Sequence, residues 1–229
     1  MFHDKKIVAV IPARAGSKGI PNKNIVDVNG NPLIVYTINA ALESRYIDRI
    51  YVSTDSIEIA DVCRAHGVEV ESLRPQQLAT DEAKTIDVLK YTLHSLQSQN
   101  EIYDYVVLLQ PTQPLRSCVH IDEAISLIAA HEDASIISVS EVEDHPLFMR
   151  KINDSGKLES LLQTSSTVRR QELPIYYKVN GAIYINKVSD IVTQDISLND
   201  NKIPYVMDKQ YDLDVDTLAD LEKLRKMLK

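Results

Sequence analysis

The chain has 229 residues, 44% of them hydrophobic and 25% charged, with a net charge of −8. That length is enough for a substantial core, and the composition is that of an ordinary globular protein. The acidic balance argues against generic attraction to nucleic acid or anionic membrane, and no apolar run approaches the roughly 20 residues needed to span a bilayer. The first six residues lead into only five apolar ones, too few for a secretory signal. Cys63 and Cys118 lie far apart with no metal-type spacing, so reduced thiols and a cytoplasmic location are expected.

Residues 7–11 form a short apolar, β-branched run that predicts a first strand. A loop from Pro12 to Asn24 follows, rich in glycine, lysine, arginine and asparagine. Leu33–Leu42 then reads as a helix, 50–53 as a strand, Ile57–Ala65 as a helix and 68–71 as a strand. Ile86, Leu89, Leu93 and Leu96 keep one face of a third helix apolar, residues 105–109 form a strand, and Ile121, Ala124, Ile125 and Ile128 mark a fourth helix. A strand at 135–139 ends the regular alternation. From about 140 to 180 the pattern is irregular, and such an excursion suits a lid or a dimer contact. A strand at 182–185 and a helix carrying Leu218, Leu221 and Leu224 close the chain. The alternation predicts an α/β fold with a mostly parallel sheet, in one domain over 1–229 with an inserted segment at about 140–180.

In open α/β sheets, ligands bind outside the carboxyl ends of the strands. Those ends carry Arg14 to Asn24, Ser53-Thr54-Asp55, and Gln110-Pro111-Thr112-Gln113-Pro114-Leu115-Arg116. In the first loop, glycines let backbone N–H groups approach phosphate oxygens, and Arg14, Lys18 and Lys23 can neutralise negative charge. The loop matches neither GxxxxGK[ST] nor GxGxxG, and a solvated turn remains the alternative. Gly16 to Gly19 has the bare GXXG form of a KH domain, but it follows a strand in an acidic protein, which is the wrong context.

The second constellation is Asp212-Leu213-Asp214-Val215-Asp216. On a strand, all three carboxylates would share one face, with Leu213 and Val215 on the other. This donor set suits Mg²⁺ completed by waters and substrate phosphates. It equally suits a solvated edge strand leading into the last helix, with Asp216 or Thr217 as N-cap. The histidines show no ligand spacing, and only His145, before Pro146 in the excursion, is kept as a site candidate.

Taken together these blocks resemble the acylneuraminate cytidylyltransferases, or CMP-sialic acid synthetases. The resemblance is carried by Ile11 to Asn24, Val52-Ser53-Thr54-Asp55, Arg74-Pro75, Leu78-Ala79-Thr80-Asp81, Leu108 to Thr112, Pro114-Leu115-Arg116, Asn180 to Ile185 and Asp214-Val215-Asp216. It runs in the family's order over nearly the whole chain. The resemblance implies a Rossmann-like nucleotidyltransferase fold and a Mg²⁺-dependent homodimer. The implied reaction is attack of a nonulosonic acid on CTP, giving the CMP-sugar and pyrophosphate.

By that resemblance, Ala13, Arg14, Ser17, Lys18, Lys23 and Asn24 would hold the triphosphate. Arg74 and Thr85 would contact the cytosine nucleotide, and Gln110, Thr112 and Arg116 would face the nucleotide–sugar junction. Asp214 and Asp216 would bind the metal, while Arg170, Asn180 and Tyr184 would approach the sugar. The catalytic charge would rest on Arg14, Lys23, Asp214 and Asp216. No histidine is well placed as a base, so a metal-polarised oxygen or a water is expected to take the proton of the anomeric hydroxyl.

Two departures bear on the sugar. Phe148 follows His145-Pro146-Leu147 where sialate-using bacterial members often carry lysine, and Gln113 stands where serine is common. Phe148 points toward a less charged or more deoxygenated sugar, such as legionaminic or pseudaminic acid, unless Arg150 or Lys151 replaces the charge. A Kdo cytidylyltransferase is disfavoured by the opening loop, and an NAD-dependent dehydrogenase by the missing GxGxxG. A nucleotide-binding module without turnover is disfavoured by the intact Arg14, Lys23, Asp214 and Asp216.

Overall fold

The computed structural model describes residues 2–131, 135–162, 169, 171 and 173–229. In chain order the elements are β1 (Ile7–Pro12), a small hairpin of β2 (Asp27–Val28) and β3 (Asn31–Pro32), α1 (Leu33–Leu42), β4 (Arg49–Ser53), α2 (Ile57–Ala65), α3 (Thr85–Ser98), β5 (Tyr105–Leu108), α4 (Cys118–Ser126) and β6 (Ile136–Glu141). A second hairpin, β7 (Arg150–Ile152) and β8 (Leu158–Ser160), precedes the long β9 (Tyr177–Lys187), α5 (Val188–Thr193), β10 (Ile203–Val206) and α6 (Leu218–Met227).

Six strands form one sheet in the order β10-β6-β9-β5-β1-β4. β1 pairs in parallel with β4 and β5, β6 pairs in parallel with β10, and only β9 runs antiparallel, between β5 and β6. The mostly parallel α/β sheet expected from the sequence is therefore the fold. After β1 the chain adds β4 on one side and then crosses to add β5 on the other. That reversal opens a crevice at the carboxyl ends of β1 and β5, where a ligand site belongs.

Both faces of the sheet are covered, so the central strands read as continuous apolar runs rather than alternating ones. Ile7, Ala9 and Ile11 of β1 pack with Ile34, Val35 and Ile38 of α1, Ile59 and Cys63 of α2, and Ile121 and Ile125 of α4. Val8 and Val10 point to the other side, against Leu89, Leu93 and Leu96 of α3 and Ile191 of α5. A third cluster joins Ile20, Val28, Leu33, Leu213, Val215, Leu221 and Leu224. It seats α6 against the β2–β3 hairpin and fixes the facing of the 212–216 segment.

Two sequence expectations need correction. Residues 68–71 make no ladder: Val68 and Val70 are buried against the first cluster, but β4 is the edge strand and takes no partner there. Residues 212–216 are likewise extended without being a strand, joined to the loop after β5 by the Val215 N–H donating to the Thr112 carbonyl at 2.9 Å. The alternation survives, since Leu213 and Val215 are buried and Asp214 and Asp216 face out. Asp212 leaves the group and pairs with Lys178 at 3.0 Å. Thr217 is the N-cap of α6, in a reciprocal box with Asp220.

The excursion lies between the end of β6 and the start of β9. Its hairpin turns at Gly156, which has φ +74°, and its side chains Ile152 and Leu158 are each 72% exposed.

Candidate active site

At the carboxyl ends of β1 and β5 lies a cavity of about 670 Å³, within the range of small-molecule sites. The loop after β1 forms one wall with Arg14, Ser17, Lys18, Lys23 and Asn24. This loop is held from within and from below. The Asn24 Nδ2 donates to the Arg14 carbonyl at 2.9 Å, and the Ala15 N–H donates to Asp55 Oδ1 at 2.8 Å. Ala13 does not line the cavity; its side chain is in the core and its N–H donates to the Ser53 carbonyl at 2.8 Å.

Gly19 sits where the loop crosses the 214–216 segment. A Cβ there would collide with the Asp216 backbone carbonyl oxygen, so only glycine permits the crossing. The approach brings Lys23 Nζ to 2.8 Å from Asp216 Oδ1. Asp214 and Asp216 both line the cavity. Burial first, and the neighbouring Asp216 charge as well, push the Asp214 carboxyl above its usual range, against the Thr112 hydroxyl that favours its ionised form.

The opposite wall holds Arg74, Thr80, Asp81 and Thr85. Asp81, which ends the block Leu78-Ala79-Thr80-Asp81, has a place in the site that its sequence context does not signal. Its Oδ1 meets Arg14 Nη2 at 2.5 Å and its Oδ2 meets Lys18 Nζ at 3.0 Å. Lys18 and Arg14 hold its carboxyl below the ordinary value. Arg74 is buried, with Nη1 donating to the Leu78 carbonyl at 3.3 Å; its Nε and Nη2 find no partner among the described residues. Burial lowers its pKa.

A second cavity of about 610 Å³ adjoins the first and shares Thr85 and Gln110 with it. Lys84, Ile86, Leu108, Tyr184, Ile196 and Leu198 are among its lining residues. Tyr184 Oη meets Asn199 Oδ1 at 3.3 Å. The 195–200 stretch carried no signal legible in the sequence.

Several expected residues lie elsewhere. Thr112 lines the first cavity, but Arg116 and Asn180 line neither. Asn180 is buried, accepting from Ser138 Oγ at 2.5 Å and donating to Ser140 Oγ at 2.9 Å, so its amide ties β9 to β6. Arg116 is buried beneath Gln110. Arg170 lies outside the described residues. His145 stands in the excursion with Nε2 at 3.2 Å from the Pro174 carbonyl, away from both cavities. Arg150 and Lys151 engage the excursion itself, through the Met149 carbonyl and Glu159.

Residues 8–228 match the family model described as cytidylyltransferase. The chain is 38% identical over 218 residues to the N-acylneuraminate cytidylyltransferase of Streptococcus agalactiae serotype V; the match takes in 94% of the chain but spans about half, 51%, of that protein. It is 37% identical over 225 residues to the CMP-N,N'-diacetyllegionaminic acid synthase of Legionella pneumophila, covering 97% of the chain and 96% of that protein. Among solved structures, a CMP:2-keto-3-deoxy-manno-octonic acid synthetase complexed with CTP superposes with a TM-score of 0.74, covering 97% of this chain and 98% of that one. At 19% identity this last likeness speaks for the fold alone.

Proposed function

Because the chain belongs to the cytidylyltransferase family, we propose that it transfers CMP from CTP to the anomeric hydroxyl of an N-acylneuraminate-type sialic acid, releasing pyrophosphate. The observation that carries this reading is the pair of cavities meeting at Gln110 and Thr85. One is walled by loop cations and carboxylates, and the other sets Ile86, Leu108, Ile196, Leu198 and Tyr184 beside polar groups that include Lys84, Asp195 and Asp200. The first suits a nucleoside triphosphate and the second a sugar acid bearing an acyl group.

In this reading Arg14, Lys18 and Lys23 hold the phosphates and neutralise the charge that moves onto the leaving pyrophosphate. Arg74 and Thr85 orient the nucleotide, and Gln110 stands at the junction of the two substrates. The anomeric oxygen attacks the α-phosphorus, and the bond to the β-bridging oxygen breaks. The hydroxyl proton passes to a water in the open cleft, because no histidine lines either cavity among the described residues. Holding the two reactants together is the main contribution asked of the protein.

Asp214 and Asp216 would hold Mg²⁺. They fit it, since two neighbouring carboxylates line the same cavity as the loop cations and Lys23 alone pairs with them among the described residues. When bound, the ion supplies charge neutralisation on the phosphate oxygens.

The exposed Ile152, Leu158 and Ile175 of the excursion support packing against a second copy of the chain as a homodimer. Two free cysteines agree with a cytoplasmic setting. No helix among the described residues is long and apolar enough to cross a membrane.

A second reading concerns the sugar alone. The near-complete coverage of the Legionella relative favours a legionaminic or pseudaminic acid as the natural acceptor, whereas Phe148 lines neither cavity of this chain. Incubation with CTP, Mg²⁺ and a panel of sialic, legionaminic, pseudaminic and Kdo acids, read by mass spectrometry, tests both. A CMP-sialic acid product supports the first reading, and preference for legionaminic or pseudaminic acid supports the second. CTP binding without any product would leave a nucleotide-binding module and overturn both.

A further inference from the structure

Arg116 is 2% exposed, in the stretch between β5 and the start of α4. Its Nη1 donates to the Ala182 carbonyl at 2.9 Å and to the Gln110 carbonyl at 3.3 Å. Its Nε and Nη2, and both side-chain polar atoms of the neighbouring buried Gln113, find no partner among the described residues. Burial alone pushes its pKa down to about 9, so it remains charged at neutral pH, and no carboxylate pairs with it among the described residues. A buried ion so placed is a poor stabiliser, and an apolar side chain of similar volume often serves stability as well or better. What an apolar side chain cannot do is hold carbonyls of two different strand regions.

Those carbonyls are informative. Gln110 is the residue shared with Thr85 by both cavities, and Ala182 follows Gly181, where β9 takes φ +76° near the register shift of its pairing with β6. A Cβ at Gly181 would lie 2.8 Å from Gln110 Oε1. The Gln110 side chain is therefore backed by a bare backbone on one side while Arg116 grips its main chain from below.

We propose that Arg116 is a positioning residue: by clamping the Gln110 and Ala182 carbonyls it fixes the Gln110 side chain in the wall between the nucleotide and sugar cavities. The inference rests on the proposed CMP transfer, and it gives Arg116 no direct contact with the sugar. Misplacing a substrate-facing group by about 1 Å can cost up to roughly 100-fold in rate.

The test uses purified full chain, CTP, Mg²⁺ and the acceptor sugar, with Arg116→Met, Gln110→Ala, the double variant and Gly181→Ala. Arg116→Met is expected to lower kcat/KM for the sugar by roughly 10- to 100-fold, with KM for CTP within about twofold and the melting temperature retained. In the Gln110→Ala background the same substitution should cost less than about threefold, because an effect routed through Gln110 has nothing left to act on. Gly181→Ala, with Arg116 intact, should reproduce the sugar defect by pressing on Gln110 Oε1. If Arg116→Met fails to fold, Arg116→Lys, which keeps the charge but lacks the guanidinium, carries the test with the same expected split between sugar and CTP. Equal losses for CTP and sugar with a lowered melting temperature, or a full Arg116→Met effect persisting without the Gln110 side chain, would overturn the inference. Absence of CMP-sugar from the wild-type protein with every acid would instead overturn the transfer reading.

Discussion

Gly19→Ala separates two reasons for glycine in the cationic loop, close approach of a ligand and close approach of the chain to itself. The new Cβ would collide with the Asp216 carbonyl oxygen, and a backbone atom cannot rotate out of the way. The loop must lift from the 214–216 segment, and overpacking of this kind costs about 1–3 kcal/mol. In a chain of this size each 1 kcal/mol lowers Tm by about 2–4 °C, so a fall of roughly 2–12 °C is expected. The same displacement opens the Lys23–Asp216 contact of 2.8 Å. If the whole strain appears at the site, kcat/KM for CTP falls by roughly 5- to 150-fold, at 1.4 kcal/mol per factor of ten. Gly16→Ala is the control: its Cβ meets nothing within 4 Å, so Tm should stay within about 2 °C. Any loss of activity there reports ligand contact rather than strain. Thermal melts and initial rates of pyrophosphate release measure both variants. A Gly19→Ala protein with native Tm and native kcat/KM would refute the reasoning.

Asp214→Asn should separate stability from turnover. The Asp214 carboxyl is raised, mainly by burial, so the folded protein binds this proton more tightly than the unfolded chain. Stability therefore falls as pH rises from the ordinary carboxylate value through the raised one. Because the side chain is exposed to the cleft, removing the ionisation should raise Tm at pH 7 only slightly, while lowering turnover by roughly 100-fold or more; a variant with undiminished turnover would remove Asp214 from the metal role. Asp81→Asn acts in the opposite sense on binding. It releases Arg14 and Lys18 from the bridging carboxylate, and KM for CTP should fall by roughly two- to fivefold at low salt, less at high salt. A raised KM would mean that Asp81 serves the bound nucleotide directly.

The helices were the most legible part of the chain. Leu33–Leu42 and Ile57–Ala65 have the bounds their apolar spacing gives: the second buries Ile59, Ala60 and Cys63 on one face, and the first packs on the sheet while Leu33 also joins the third cluster. Strands were legible as apolar runs, but not in their pairing. Val68 and Val70 alternate as a strand would, yet the Val68 N–H goes to the Cys63 carbonyl and the Val70 carbonyl accepts from Arg64 instead of a strand, and a ladder partner leaves no trace in local sequence. The antiparallel direction of β9, its extension back to Tyr177, and β10 with Pro204 inside it were hidden for the same reason. Pro204 is tolerated because β10 is an edge strand.

In the candidate site, the charged loop and the Asp214–Asp216 pair stand out in the sequence as charge beside short apolar runs, but only the family resemblance gives them expected roles. What spacing could not reveal was which polar side chains point inward. Asn180 and Arg116 lie in recognised blocks, but their hydrogen bonds run to Ser138, Ser140 and the Gln110 and Ala182 carbonyls. Asp81 became informative only when the fold brought it across the cavity to Arg14 and Lys18.

Positional labelling of CTP tests attack at the α-phosphorus most directly. With the acceptor sugar and Mg²⁺ present, label at the α-phosphate should appear in the CMP-sugar, and label at the γ-phosphate should leave in pyrophosphate, in equal amounts and only when sugar is supplied. Release of γ-label as inorganic phosphate, or pyrophosphate formed without sugar and without labelled CMP-sugar, would contradict the account.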